Sequence, residues 1–385
     1  MIYRSIRETD FTRDYDGIAL YSGGTDSTLA PLLVREQVGD KILLVMIDLG
    51  ESKNAINQAI GRANVIGWDL LLLDERENFG NEVLTEAIQL RADYWGYPLG
   101  TPLGRAYQLG VAEQVVQTLN EDKQAPRKRY VIHGCGARQN TRYRIERFLA
   151  TLSDVEAVGP FVSRVLSRDE KIVLLTEHGI EAVAGDGVAT DQNIYCRAME
   201  GDLLNSFERP SALPVYTVVS DPSKATEVEE LSVTFEEGVP VALDGHHRSV
   251  AGIVEEIASR AARAGVGRIC AFEDTIPELG YKERGVYEAP AAIVLATAHA
   301  YLEGATLSKL DRCIFRTIRH DWAEVVYRGF WHTSERYALG HEGRRLNRPI
   351  CGTVDLMLRA GAIEIGAAEC PQSLLISTES SRGAY

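Results

Sequence analysis

The sequence predicts an α/β protein, with a doubly wound parallel sheet in its first part and a second, α+β unit behind it. Three observations carry the prediction. Short, nearly continuous apolar runs stand at 17–21, 41–49, 69–74 and 129–133, as expected for strands of a parallel sheet covered on both faces. Helical patterns at 27–38, 52–66, 81–94 and 105–119 separate these runs, and repeated strand–helix units build an open sheet whose ligands gather at the C-terminal strand ends. After about residue 167 the order changes to strand pairs and runs of helices.

In that second part, a helix at 168–179 leads to a hairpin of 231–234 and 239–243 that turns on Glu236-Glu237-Gly238. Helices follow at 246–264, 289–302, 311–328 and 333–342. A second hairpin, 352–358 and 363–368, turns on Arg359-Ala360-Gly361-Ala362. The polar stretch 373–385 reads either as a docking arm or as a frayed end. No repeat, low-complexity tract or long linker interrupts the chain.

The 385 residues are 45% hydrophobic and 25% charged, enough apolar material for a large core and, by length, two or three domains. Lys and Arg number 41 against 55 Asp and Glu, a formal charge of −14. Such a surface repels polyphosphate backbones over a Debye length and argues against a nucleic-acid partner. Small anions are not excluded, because a pocket can be basic inside an acidic protein. The six cysteines form no Cys-x-x-Cys pair, which leaves free thiols of a reducing compartment as the simplest account. Residues 1–10 lack the apolar core of a signal peptide. The longest apolar run, 289–300, contains Pro290 and His299 and is too short to span a bilayer. A soluble, cytoplasmic protein without a membrane partner is expected.

The first strand runs directly into Ser22-Gly23-Gly24-Thr25-Asp26-Ser27-Thr28, and a helix follows. Glycines let backbone amides approach phosphate oxygens and adopt dihedrals closed to other residues. The amides and dipole of a helix start favour an anion, and Ser22, Ser27 and Thr28 can add hydroxyl donors. The competing reading is a tight turn with Ser27 or Thr28 as the helix N-cap; the strand–loop–helix context favours phosphate. Asp26 is unexpected beside a phosphate unless it orients the loop or holds Mg2+, and both roles are open. Neither Gly-x-x-x-x-Gly-Lys-Ser/Thr nor Gly-x-Gly-x-x-Gly occurs, which counts against a γ-phosphate transferase and a Rossmann dehydrogenase.

Ser-Gly-Gly-x-Asp-Ser resembles the pyrophosphate loop of the ATP-pyrophosphatase, or PP-loop, superfamily. Further stretches narrow the resemblance to the argininosuccinate synthase family and follow that family's order along nearly the whole chain. They are Tyr97-Pro98-Leu99-Gly100-Thr101-Pro102-Leu103-Gly104-Arg105 and the segment from His133-Gly134 to Arg144-Ile145-Glu146. Asp191-Gln192-Asn193, Phe235 to Pro240, Gly267-Arg268-Ile269 with Glu273, and Lys282 to Pro290 complete the set. The resemblance implies an adenine nucleotide alpha hydrolase-like domain at 1–167, a synthetase and multimerisation domain at 168–370 and a tail at 371–385, usually within a homotetramer. It implies an AMP-forming C–N ligase of amino-acid biosynthesis with small amino-acid-like substrates. The ureido oxygen of citrulline attacks the α-phosphate of ATP, pyrophosphate leaves, and the aspartate amine then displaces AMP. Positioning and preorganised donors carry much of such chemistry; no general base is evident.

By resemblance, ATP meets Leu20, Tyr21, Ser22, Gly23, Gly24, Thr25, Asp26, Ser27, Thr28, Ile47 and Gly134, with Mg2+ arriving on the nucleotide and no structural metal. Ile47 reads as an adenine contact or as plain core. Ser22, Asp26 and Arg144 are the catalytic candidates. Tyr97, Thr101, Asn140, Thr141, Arg144, Ala189, Ala198, Glu273 and Tyr287 are the substrate-binding candidates; Arg144 suits a carboxylate and Glu273 an α-ammonium. Taken singly, Arg144 is a solvated helix residue and Tyr287 an interface tyrosine at a helix start. His133 ends a strand at the ligand-bearing edge and reads equally as a core or backbone-hydrogen-bonded residue; His246-His247 read as capping or surface groups rather than as a metal site.

The chain also departs from the pattern. The family's serine after Leu-Gly-Thr is Pro102 here, and two further substrate serines correspond to Ala189 and Ala198. The family's Thr and Asp in the His-Gly segment become Gly136 and Thr141. An unmatched buried polar group costs about 1–3 kcal/mol, so these losses point to substrates drifted from citrulline and aspartate. The alternative keeps both substrates through compensating contacts. A tRNA-adenylating PP-loop enzyme and a non-catalytic binding protein are further readings. Arg138 and Arg142, with Arg127, Lys128 and Arg129 before them, read equally as a solvated basic face and as help for ATP or a carboxylate.

Overall fold

A computed structural model describes residues 1–8, 14–121, 128–181, 188–201, 204–208, 215–226, 228–276 and 280–376. Arg127 and the tail from 377 lie outside the described residues. The first sheet is wholly parallel and contains β1 (Ile2–Tyr3), β2 (Gly17–Leu20), β3 (Ile42–Asp48), β4 (Leu70–Asp74), β5 (Arg129–Ile132) and β6 (Val155–Val158). Its order is β1-β4-β3-β2-β5-β6. The unbroken apolar runs follow from two-sided burial. Leu43, Val45, Ile47, Leu71 and Leu73 enter one core, while Leu44, Met46, Leu70 and Leu72 enter the other.

From β2 the chain winds outward to β3 and β4, then returns to β5 on the other side of β2. The order reverses between β2 and β5, and in open sheets of this kind ligands gather at the carboxyl ends of the strands beside such a reversal. The connecting helices are α1 (Thr25–Val38), α2 (Lys53–Ile66), the short α3 (Arg76–Phe79) and α4 (Thr85–Gln89) with a π turn between them, and α5 (Gly100–Glu121). α6 (Asn140–Leu149), α7 (Pro160–Ser163) and α8 (Arg168–Glu177) follow.

Two helices of this first part differ from expectation. The one expected at 81–94 ends with α4, because Arg91 and Trp95 take φ of 45° and 53°, which no right-handed helix continues through. There the Asp93 carboxylate accepts the Gly96 N–H at 2.8 Å. The helix expected at 105–119 starts earlier, at Gly100. Pro102 is tolerated because first-turn amides have no intrahelical acceptor, and the Thr101 N–H donates to the Tyr97 hydroxyl at 2.9 Å.

Beyond α8 lie two antiparallel sheets. β7 (Ala189–Gln192), β8 (Arg197–Glu200), β12 (Arg268–Asp274) and β13 (Lys282–Glu288) form one, in the order β12-β13-β8-β7. Both expected hairpins exist, as β9 (Val228–Glu236) with β10 (Val239–Leu243) and β14 (Gly352–Arg359) with β15 (Ala362–Glu369). They share a sheet through β9 and β14, with β11 (His246–His247) at its edge. The helix expected at 246–264 therefore splits: His246 and His247 pair with β10, and Ser249 caps α9 (Val250–Arg263) by accepting the Gly252 N–H. Helices α10 (Pro290–Thr306), α11 (Lys309–Tyr327) and α12 (Ser334–Asn347) complete the second part.

Candidate active site

A cleft of about 820 Å³ opens at the carboxyl ends of β2 and β3, bounded by the start of α6 and by β7 and β8. The loop after β2 forms one side. Gly24 is the residue before α1, and no side chain caps that helix, so its first-turn amides are available to an anion. The N-cap reading of Ser27 and Thr28 is thereby corrected. Ser27 Oγ lies 3.0 Å from Ser22 Oγ, accepts the Ser22 N–H at 3.2 Å and donates to the Gly24 carbonyl at 3.3 Å. Thr28 is buried beneath the loop, with its Oγ1 unpartnered.

Two close approaches shape this loop. Gly23 has φ of +73°, and a Cβ there would lie 2.4 Å from Ala59 on α2. A Cβ on Gly134 would lie 2.6 Å from the Asp26 backbone, so the loop after β5 abuts the phosphate loop directly. The Arg62 guanidinium holds the Gly23 carbonyl and, at 3.1 Å, that of Glu181. Lys171 Nζ on α8 lies 2.9 Å from Asp26 Oδ1. Leu20, Tyr21, Ser22, Gly24, Asp26, Ser27, Ile47 and Gly134 line the cleft; Gly23, Thr25 and Thr28 support it from outside the lining. Ile47 also belongs to the core, so both of its readings hold.

The substrate candidates divide in the same way. Thr101, Asn140, Thr141, Arg144, Ala189 and Ala198 line the cleft. Arg144 is 3% exposed, which corrects its reading as a solvated helix residue. Its Nε donates to the Tyr327 carbonyl at 2.7 Å, whereas Nη2 has no partner. Asn140 spends its amide locally, donating to the Asp274 carbonyl at 2.9 Å and accepting the Ile276 N–H at 2.6 Å. Tyr97, Glu273 and Tyr287 are fully buried and off the cleft lining. Tyr287 lies on β13, not at a helix start; it pairs with Ala198 in register, and its ring stacks on Tyr97.

The basic stretch also divides. Arg138 lines the cleft. Arg142 pairs with Glu146 at 2.9 Å and Lys128 with Glu156 at 3.3 Å. Arg129 is buried and bonds Asn120 and the Leu119 carbonyl, each at 2.9 Å. His133 is buried, which pushes its pKa down, and its Nδ1 accepts the Cys135 N–H.

Sequence reasoning did not select several charged residues of the site. Arg105 lines the cleft and pairs with Asp191 at 3.0 Å. Burial, with the charge of Glu273 second, pushes the Glu200 carboxyl up to about 8. Burial likewise lifts Glu51 to about 8, helped by Asp48. Arg105 ends the segment 97–105 and Asp191 opens Asp191-Gln192-Asn193, whereas Lys171, Arg62 and Glu200 carry no local signal.

Two family models match the chain. Residues 18–181 match the arginosuccinate synthase N-terminal HUP domain, and residues 188–383 match the arginosuccinate synthase C-terminal domain. The argininosuccinate synthase of Methanopyrus kandleri is 32% identical over 366 residues, covering 93% of this chain and 90% of its own. That of Haloarcula marismortui is also 32% identical, covering 89% and 79%. Among solved structures, an NH3-dependent NAD synthetase from Campylobacter jejuni aligns at 13% identity with a TM-score of 0.28, over 46% of this chain and 69% of that one.

Proposed function

The chain belongs to the argininosuccinate synthase family and is an ATP-dependent C–N ligase, and from that premise we propose an AMP-forming reaction on amino-acid-like substrates drifted from citrulline and aspartate. The observation that carries this is one cleft with an uncapped helix N-terminus at one side and the unpartnered Nη2 of buried Arg144 at another. ATP supplies the adenylyl group. Ser22, Ser27 and the first amides of α1 bind its phosphates, with Gly134 alongside and Ile47 toward the adenine. Mg2+ arrives with the nucleotide. The Lys171 ion pair favours the orienting role for Asp26.

Arg144 holds the carboxylate of the electrophilic substrate through Nη2, and Thr101, with an unpartnered buried Oγ1, adds a donor. The ureido or related oxygen attacks the α-phosphate, and an amine then displaces AMP from the activated carbon. Tyr97, Glu273 and Tyr287 support the cleft from below. Drift is supported by Ala189 and Ala198, which line the cleft without hydroxyls, and by Gly136 and Thr141 in place of the amine-site Thr and Asp.

The names of the relatives favour a second reading, a synthase that still joins citrulline to aspartate. AMP release with citrulline and aspartate together separates the two. Slow turnover with this pair, and faster turnover with another ureido or amide amino acid, is expected; normal turnover with the pair would sink the drift. The surface charge of −14 speaks against a nucleic-acid substrate. No helix among the described residues is long and apolar enough to cross a membrane. A homotetramer, a cytoplasmic location and the division at 167 and 370 belong to the same proposal.

A further inference from the structure

The phosphate loop carries an acid where an anion binds, and that acid is held from a distant helix. Asp26 lines the cleft. Lys171 sits in the first turn of α8, which is fixed by a capping box between Ser167 and Glu170. Its Nζ is 2.9 Å from Asp26 Oδ1 and 4.5 Å from the ring centroid of buried Phe161, and its side chain is 16% exposed.

The other cation at this loop behaves differently. Arg62 bonds two backbone carbonyls, of Gly23 and Glu181, and these carbonyls shape the chain. The partner of Lys171 is instead a side-chain carboxylate beside the anion site. An ammonium is a mobile point charge with three donors, so a phosphate oxygen can share it or take it from Asp26.

We propose that Lys171 binds the leaving pyrophosphate, with Asp26 holding its ammonium at the loop until the polyphosphate arrives. This rests on the AMP-forming reading above. As the acceptor oxygen bonds to the α-phosphorus, the bridging oxygen leaves with its electron pair. Lys171 neutralises charge on the β- and γ-phosphate oxygens, and no proton moves. An acid within a phosphate loop thereby has a role that does not oppose binding.

Calorimetric titration of inorganic pyrophosphate into the full chain, with chelator excluding metal, reads the contact without any amino-acid substrate. Lys171→Met should weaken pyrophosphate binding about tenfold to a hundredfold while AMP binding stays within about twofold. Lys171→Arg should retain most of the pyrophosphate affinity. Asp26→Asn, which releases the ammonium, should keep or tighten it. Retained AMP binding and an unchanged thermal midpoint show that each variant is folded. Unchanged pyrophosphate affinity in Lys171→Met would overturn the proposal. So would equal weakening by Lys171→Met and Asp26→Asn, because the ion pair would then serve only the loop's shape. Absence of ATP binding to the wild-type chain is a different failure and would overturn the nucleotide reading itself.

Discussion

Tyr287 donates its hydroxyl to Glu273 Oε1 at 2.5 Å, while its ring stacks on that of Tyr97 at a centroid distance of 4.4 Å. Burial pushes the Glu273 carboxyl above its ordinary value, and the hydroxyls of Tyr287 and Tyr327 oppose that rise. Tyr287→Phe keeps the stack and removes the donor. It should lower stability by about 1 kcal/mol in urea unfolding, the loss of one buried hydrogen bond, because the Tyr327 hydroxyl stays beside the carboxyl. An unchanged midpoint would show that Glu273 is satisfied without this bond.

Arg144 should answer to shape as well as charge. Lysine cannot hold the Tyr327 carbonyl and present a second donor to the cleft in a fixed fork. Arg144→Lys should therefore raise KM for the carboxylate-bearing substrate by about tenfold or more, with ATP binding unchanged. A parallel loss of ATP affinity would place Arg144 at the nucleotide instead.

Restoring hydroxyls tests the drift directly. Ala189 and Ala198 both line the cleft. If their methyl groups exclude citrulline by leaving its polar atoms unmatched, the double change Ala189→Ser, Ala198→Ser should raise citrulline-dependent AMP release by about tenfold. No gain would mean that citrulline is recognised, or rejected, elsewhere.

Gly134 has a narrower tolerance. A methyl group there would lie 2.6 Å from the Asp26 backbone and 2.8 Å from the Ser27 nitrogen. Gly134→Ala should push the two loops apart and weaken ATP binding by about tenfold or more. Wild-type affinity in calorimetry would contradict the close approach.

The raised carboxyls of Glu200 and Glu51 set a pH dependence. Both reach about 8 in the folded state against an ordinary value of 4.5, so folding holds their protons more tightly. Their contribution to stability is complete below the ordinary value and is lost as pH rises through about 8. Urea midpoints of the ligand-free protein should fall from about pH 6 to about pH 9, with each group contributing at most about 1.4 kcal/mol per pH unit. Glu200→Gln should flatten that fall. A profile parallel to wild type would remove Glu200 as its source.

The apolar runs of β2 to β5, both hairpins of the five-stranded sheet and the phosphate loop were legible because each depends on neighbours in sequence. β7, β8, β12 and β13 carry no strand pattern that the sequence alone reveals. Their residues mix exposed charges with buried ones, as in Lys282, Glu283 and Arg284, so no clean alternation marks them. Yet β7 and β8 bound the cleft, and β13 places Tyr287 opposite Ala198.

What the sequence by itself determined was the parallel sheet, the loop from Ser22 to Thr28 and the family to which they belong. Strand periodicity, glycine conformation and helix starts are local physics. Only the tertiary structure decided which charges are spent and which face the cleft. Arg129, Arg142 and Arg144 look alike in sequence, but the first is bonded in the core and the second is tied to Glu146. The third keeps Nη2 without a partner. Lys171 and Asp26 meet only because α8 packs on α1. Burial and pairing are properties of the assembled fold, and they separate residues of one type into structural and functional ones.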